Sequence, residues 1–160
     1  MSGETNLDEL IRSLSAVLVE GLYVFTTVKA PQDLMGIVPR MTFGEAEGTT
    51  YILLKSEAEQ LGLAYEFPCR MITLNIHSSL EAVGFMARIA TELAKHDMGV
   101  NPVSGFFHDH LFVPDGREQD AMAVLMEMSK RLTASLNVEK ARNLRASNCL
   151  YKTRVFFRGQ

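Results

Sequence analysis

Two short clusters hold most of the side chains in this sequence that have chemistry to offer. The first is His77-Ser78-Ser79-Leu80-Glu81-Ala82-Val83-Gly84, the second Gly105-Phe106-Phe107-His108-Asp109-His110-Leu111-Phe112-Val113-Pro114. In the first, hydroxyls and an imidazole sit where an apolar strand pattern gives way to helical periodicity. A helix starting there leaves backbone N–H groups around Ser79, Leu80 and Glu81 unpaired at the positive end of its dipole, which stabilises an anion by about 0.3–2 kcal/mol. Gly84 carries no side chain, so a ligand or a second backbone can approach closely. The bland alternative is that Ser78 and Ser79 only cap a helix and Gly84 only lets it pack on a sheet; residue types do not separate the two. Asn75 and Asn101 could lend amides to the same corner or merely satisfy a sheet end. Asp109, Glu45 and Glu47 are the carboxylates available to a cationic ligand group.

The second cluster invites a metal reading, because alternate strand residues share a face and imidazole is a common zinc ligand. Two ligands are too few: Asp109 points the other way from His108 and His110, and His77 would have to arrive from another strand. No metal is expected, and hydrogen-bonded structural histidines are the expectation. A hydrolase from Ser78 or Ser79 with His108 and Asp109 fails because adjacent His and Asp do not make a base and its orienting partner, and no Gly-x-Ser-x-Gly turn is present. Phosphate-loop and dinucleotide fingerprints are lacking. No catalytic residue and no cofactor are expected.

The elements that must position these residues follow from periodicity. Asn6 caps a helix with the stripe Leu7, Leu10, Ile11 and Leu14, and Leu22 to Val28 reads as a strand. After a Pro-containing loop from Lys29 to Arg40, strands Met41 to Glu45 and Thr49 to Leu54 flank a Glu47-Gly48 turn, and Ser56 with Glu59 caps a short helix ended by Gly62. Next come strand Cys69 to Ile76, helix Ser79 to His96 with a Ser78/Glu81 capping box, strands Gly99 to Phe106 and His110 to Val113, and helix Gly116 to Leu132 with an Asp115/Glu118 box. Each half reads βαββα, the first with a poorly formed crossover. The fourth strand of a split βαβ fold is missing from both, so the halves are expected to complete each other's sheets. Beyond Leu132 a helix from Val138 to Leu144 and a strand or disordered end at Leu150 to Phe157 are expected.

A chain of 160 residues, 47% hydrophobic, buries roughly two-thirds of its unfolded surface without staples. Cys69 and Cys149 lack zinc or redox spacing, and Cys69 belongs to an apolar strand. No apolar run is long enough for a membrane span, and Met1 to Asn6 lacks a secretory signal, so a cytoplasmic protein is expected. The net charge of −3 is uneven: from Thr133 onward six cations face Glu139 alone, giving +5 and leaving −8 on the remainder. Such a tail is expected to fold onto its own acidic body or onto another subunit, and nucleic acid is not expected. The methionines are expected to fill core or an interface.

From about Leu10 to about Leu132 the sequence resembles the ACT-domain proteins, specifically the small stand-alone tandem type related to the ACT modules of aspartate kinases and cytosolic arginine sensors. The resemblance is carried by Glu20-Gly21-Leu22-Tyr23-Val24-Phe25, Phe43-Gly44-Glu45-Ala46-Glu47-Gly48-Thr49, Ile72 through Gly84, and His108 through Pro114. The family's usual Asn-Val reads Asn101-Pro102 here, and residues 133–160 have no counterpart. The resemblance implies an α+β, ferredoxin-like βαββαβ tandem pair with helices on one face of antiparallel sheets, divided at 1–64, 65–132 and a basic extension 133–160. It also implies a regulatory module without catalysis that binds an amino acid where two domains meet, through Asn75, His77, Ser78, Ser79, Leu80, Val83, Gly84, Asn101, His108 and Asp109. A dimerisation or docking protein with a degenerate site is the alternative. A homodimer is expected either way, because Met71 and Thr73 face a side of the sheet for which no helix remains.

Overall fold

Met71 and Ile72 are neighbours in one strand, point to opposite faces, and are both buried. The chain therefore has apolar material on both sides of its sheet, and the two sides are filled differently. The structure, a computed structural model, describes residues 3–30 and 33–156, with side chains through 140 and at 142. Its elements in order are α1 (Leu7–Arg12), β1 (Ala16–Val28), β2 (Met41–Gly44), β3 (Thr49–Leu54), α2 (Lys55–Gln60), β4 (Glu66–Leu74), α3 (Phe85–Ala94), β5 (Asn101–Ser104), β6 (Asp109–Pro114) and α4 (Glu118–Phe156). The strands form one antiparallel sheet in the order β2-β3-β1-β4-β6-β5.

That order explains the missing strands. A four-stranded split βαβ sheet needs a final strand beside its first, and β4 fills that place for β1 while β1 fills it for β4. Each half thus borrows the opening strand of the other. The halves match residue by residue: Thr49 opens β3 opposite Val28 and Gly44, and Asp109 opens β6 opposite Leu74 and Ser104. Both hairpins close alike, Glu45 N–H donating to Gly48 O at 2.7 Å and Gly105 N–H to His108 O at 2.9 Å.

The helices pack on one face. Ile72, Leu74, Leu111 and Val113 meet Leu10 and Ile11 of α1, Phe85, Ile89 and Leu93 of α3, and Ala121, Leu125 and Met128 of α4. In the first half Val24, Tyr51 and Leu53 pack on Ala58 of α2. On the opposite face Tyr23, Ile52, Cys69, Met71 and Phe112 bury one another with Phe25 and Phe67, and the Tyr23 and Phe25 rings meet Phe112 edge-on at 6.0 and 5.6 Å. Burial, with a smaller push from Asp115, drives the Cys69 thiol up to about 12, so it is an inert core residue.

Several expected boundaries move. β1 begins at Ala16 rather than Leu22, because its pairing slips from Val19 opposite Met71 to Tyr23 opposite Cys69. A bulge at Gly21 (φ 119°) takes up the slip, and a Cβ there would lie 2.5 Å from Leu54 Cδ2. Asn6 caps α1, its Oδ1 accepting from the N–H of Asp8 and Glu9. For α2 it is Glu57, not the Ser56/Glu59 pair, that accepts the Leu54 N–H. The Asp115/Glu118 box does not form either: Asp115 instead takes Arg70 at 2.7 Å. α4 does not stop near Leu132 but runs to Phe156, so neither a separate helix at Val138 to Leu144 nor a strand over Leu150 to Phe156 is present. No Gly or Pro interrupts residues 117–158, and each further helical turn adds hydrogen bonds at little entropic cost once a helix exists. Phe157 lies outside the described residues.

Candidate ligand-binding site

The loop between β4 and α3 departs most from expectation. α3 starts at Phe85, six residues later than the sequence pattern suggests, and the Ser78/Glu81 capping box is not made. Tertiary bonds take the groups such a box would use. Ser79 N–H donates to Glu4 O and Glu4 N–H to His77 O, both at 2.9 Å, so the amino-terminal segment is stitched along this loop. The Ser78 hydroxyl donates to Asp109 at 2.9 Å, and Ser79 Oγ accepts from Glu81 N–H at 3.2 Å. Glu4 itself is held below the usual carboxylate range by the N–H groups of Asn6 and Thr5.

The helix start is set instead by Gly84 in the left-handed region (φ 88°), with no side-chain cap. The first helical bond runs from Arg88 N–H to Gly84 O at 2.9 Å. The N–H groups of Phe85, Met86 and Ala87 are thereby left without intrahelical acceptors, and no acidic residue occupies the first turn to compensate them.

These amides open onto a cavity of about 180 Å³ lined by Ser78, Ser79, Leu80, Ala82, Gly84, Phe85, Met86, Ala87, Ser104 and Asp109. Asp109 is only 5% exposed, and its two oxygens accept one hydroxyl each, Ser78 at 2.9 Å and Ser104 at 2.5 Å. Among the described residues no cation lines it. A carboxylate and a helix amino terminus therefore face one cleft, an arrangement with one pole for an ammonium group and one for an anion.

Of the ten residues expected at the site, five line this cavity: Ser78, Ser79, Leu80, Gly84 and Asp109. Asn75 is exposed outside it, its N–H donating to Ser15 O, and Val83 is 85% exposed. Asn101 pairs with Phe112, three residues along β5 from Ser104, and faces away from the corner. His77 lies against Phe107, ring centroids 5.6 Å apart. His108 has a buried Nδ1 without a partner, whereas His110 Nδ1 meets Thr73 Oγ1 at 3.0 Å on the face opposite Asp109. Desolvation first, then the neighbouring His108, lowers the His110 pKa, with Asp109 opposing and Arg40 adding a smaller push down. Among the described residues no three His, Cys, Asp or Glu side chains gather as a metal site. Ser104 was not foreseen; its signal is the strand register, which sets it directly opposite Asp109 across a four-residue hairpin loop.

A family model described as ACT domain matches residues 2–70, and a second ACT domain model matches residues 66–127. The chain belongs to the ACT-domain family. It carries two such domains in tandem, and the single sheet shows how this ACT protein fuses them. No curated protein matches the sequence. Among solved structures, a Vibrio cholerae protein of unknown function, described as a possible transport protein, is 40% identical, with 77% of this chain and 95% of that one covered at a TM-score of 0.71. An Agrobacterium tumefaciens protein shares the fold at 13% identity and TM-score 0.58, covering 72% of this chain and 89% of that one. The ligand-free regulatory subunit of aspartate kinase from Thermus thermophilus shares it at 8% identity and TM-score 0.55, covering 74% and 97%. Among the described residues no helix is long and apolar enough to cross a membrane.

Proposed function

We propose that this ACT protein is a regulatory module that binds a small amino acid in the cavity between Asp109 and the start of α3, with no catalytic step. The observation that carries the reading is Asp109: a carboxylate 5% exposed, held by two hydroxyls and facing open helix amides with no cation in the lining. An α-ammonium group would neutralise Asp109, and an α-carboxylate would take the N–H groups of Phe85 to Ala87. Ser78 and Ser104 orient the carboxylate by donating to it.

The cavity also limits the ligand. Its 180 Å³, roughly six water volumes, holds one molecule of amino-acid size. Beyond Asp109 its walls are Leu80, Ala82, Phe85 and Met86 with serine hydroxyls, which offer no cation to an acidic side chain. Small uncharged amino acids are the proposed class. The proposed organisation is a first unit over 1–64, a second over 65–132 holding the site, and the basic extension 133–160, in a cytoplasmic homodimer whose packing responds to the ligand. A docking protein with an unused site is the second reading. Leu80, Val83, Phe106 and Phe107, all more than 60% exposed near the cavity, favour it.

A thermal-shift screen of the twenty amino acids tests the reading. Saturation at 100 times the dissociation constant adds about 2.7 kcal/mol. Stabilisation by a small neutral amino acid, lost in Asp109→Asn, is expected; no stabilisation by any of the twenty would leave only the docking reading.

A further inference from the structure

A groove larger than the ligand corner lies on the helix-free face of the first half. It has a volume of about 600 Å³, and its walls include Phe25, Met41, Phe43 and Tyr65 with the carboxylates Glu45 and Glu66. No cation lines it. Phe43 is 60% exposed, an apolar ring left in water beside two exposed negative charges. The groove forms where β1 and β4 lose register, Tyr23 facing Cys69 but Phe25 facing Glu66, so the strands part and leave Phe25 uncovered from this side.

The chain also contains a segment of the opposite chemistry. Tyr151-Lys152-Thr153-Arg154-Val155-Phe156-Phe157-Arg158 interleaves aromatic and cationic residues within an extension of net charge +5, on a chain whose remainder carries −8. Its own groove opens on the other face of the sheet from α4. α4 is continuous over 39 residues, a rod of about 58 Å, and Ser135 is still beside Ile11 and Arg88 of the body. Tyr151 then lies about 24 Å further along the rod.

We infer that the groove receives the Tyr151–Arg158 segment of a second copy of this chain. Tyr151 and Val155, one helical turn apart, enter the space beside Phe25, Met41 and Phe43, and Lys152 and Arg154, on either flank of that stripe, pair with Glu45 and Glu66. Two copies related by a twofold axis make this exchange reciprocally, so the contact closes as a dimer rather than growing into a filament. The apolar fill gives the contact its strength, and the charges choose the groove over other apolar surfaces.

Full-length chain, mixed from isotopically light and heavy copies, is treated with a carbodiimide that joins carboxylates to amines, and the linked peptides are read by mass spectrometry. The inference expects light–heavy pairs joining Glu45 or Glu66 to Lys152, suppressed at high salt. Glu45→Lys with Glu66→Lys, both at exposed positions, should weaken dimerisation about tenfold by light scattering or sedimentation, and Lys152→Glu with Arg154→Glu should restore it in the combined variant. Links confined to one copy, a monomeric chain, or a dimer indifferent to both charge swaps would overturn it. A small apolar molecule or a different protein in the groove would show as the last of these.

Discussion

Val28, Thr49 and Gly44 hold the same places in the first half that Leu74, Asp109 and Ser104 hold in the second, yet only the second set faces a helix end. After β4 the chain makes a ten-residue corner and enters α3; after β1 it crosses to β2 through residues 29–40 with no helix among the described ones. Without that helix there are no open amides, and with Thr49 and Gly44 in place of Asp109 and Ser104 there is neither charge nor hydroxyl pair. The duplicated fold thus separates scaffold from site. Strand exchange needs both halves, whereas the polar cavity needs a helix amino terminus and a buried carboxylate in one.

The comparison breaks if the two crossovers tolerate damage equally. Ile89→Ala empties the packing of α3 on Ile72 and Leu111 and should cost about 2–4 kcal/mol, read by denaturant unfolding. Val38→Ala in the first crossover, 83% exposed, should stay within about 0.5 kcal/mol. Next in size, Asp109→Ala should remove the ligand-dependent stabilisation of about 2.7 kcal/mol described above, seen as a thermal shift that no amino acid restores. Gly84→Val places a β-branched residue at φ 88° with Leu7 Cδ2 3.5 Å from the new Cβ. It should cost about 1–2 kcal/mol and abolish binding while circular dichroism still reports a folded chain.

Smaller effects sharpen the contrast. His110 of the second half corresponds to Thr50 of the first, so only one half titrates at that place. Thr73, His108, Asp109 and Arg40 surround the ring, and its folded pKa lies below 6.5. Protons then bind the unfolded chain preferentially as pH falls past 6.5. The contribution is complete above 6.5 and declines below it until the lowered folded value is passed. Melting temperatures of His110→Thr should show a flatter pH dependence in that window than the parent. The smallest effect is a null one: Thr49→Asp should add no second binding site by calorimetry, because no helix end faces it.

Much of this was legible from residues alone. The alternation Met71/Ile72/Thr73/Leu74 predicts a sheet with one face under helices and one without, and the missing fourth strands predict the exchange between halves. Asp109 stands apart from His110 because period two sends it to the other face. What escaped was decided at long range. Ser78 and Glu81 have capping spacing, but Asp109, 31 residues away, captures the Ser78 hydroxyl, and Glu4 takes the Ser79 amide. The bulge at Gly21 hides six residues of β1 because it breaks the alternation. In the tail, Lys152, Arg154 and Phe156 alternate by chance of composition, while the absence of Gly and Pro lets α4 continue.

The most direct test of the central claim is calorimetric titration of the full chain and of Asp109→Asn with glycine, alanine and serine. One site per chain is expected for at least one of them, with heat lost in Asp109→Asn, whose neutral amide keeps the shape but cannot balance an ammonium group. Undiminished binding in Asp109→Asn, or two equivalent sites per chain, would contradict the claim.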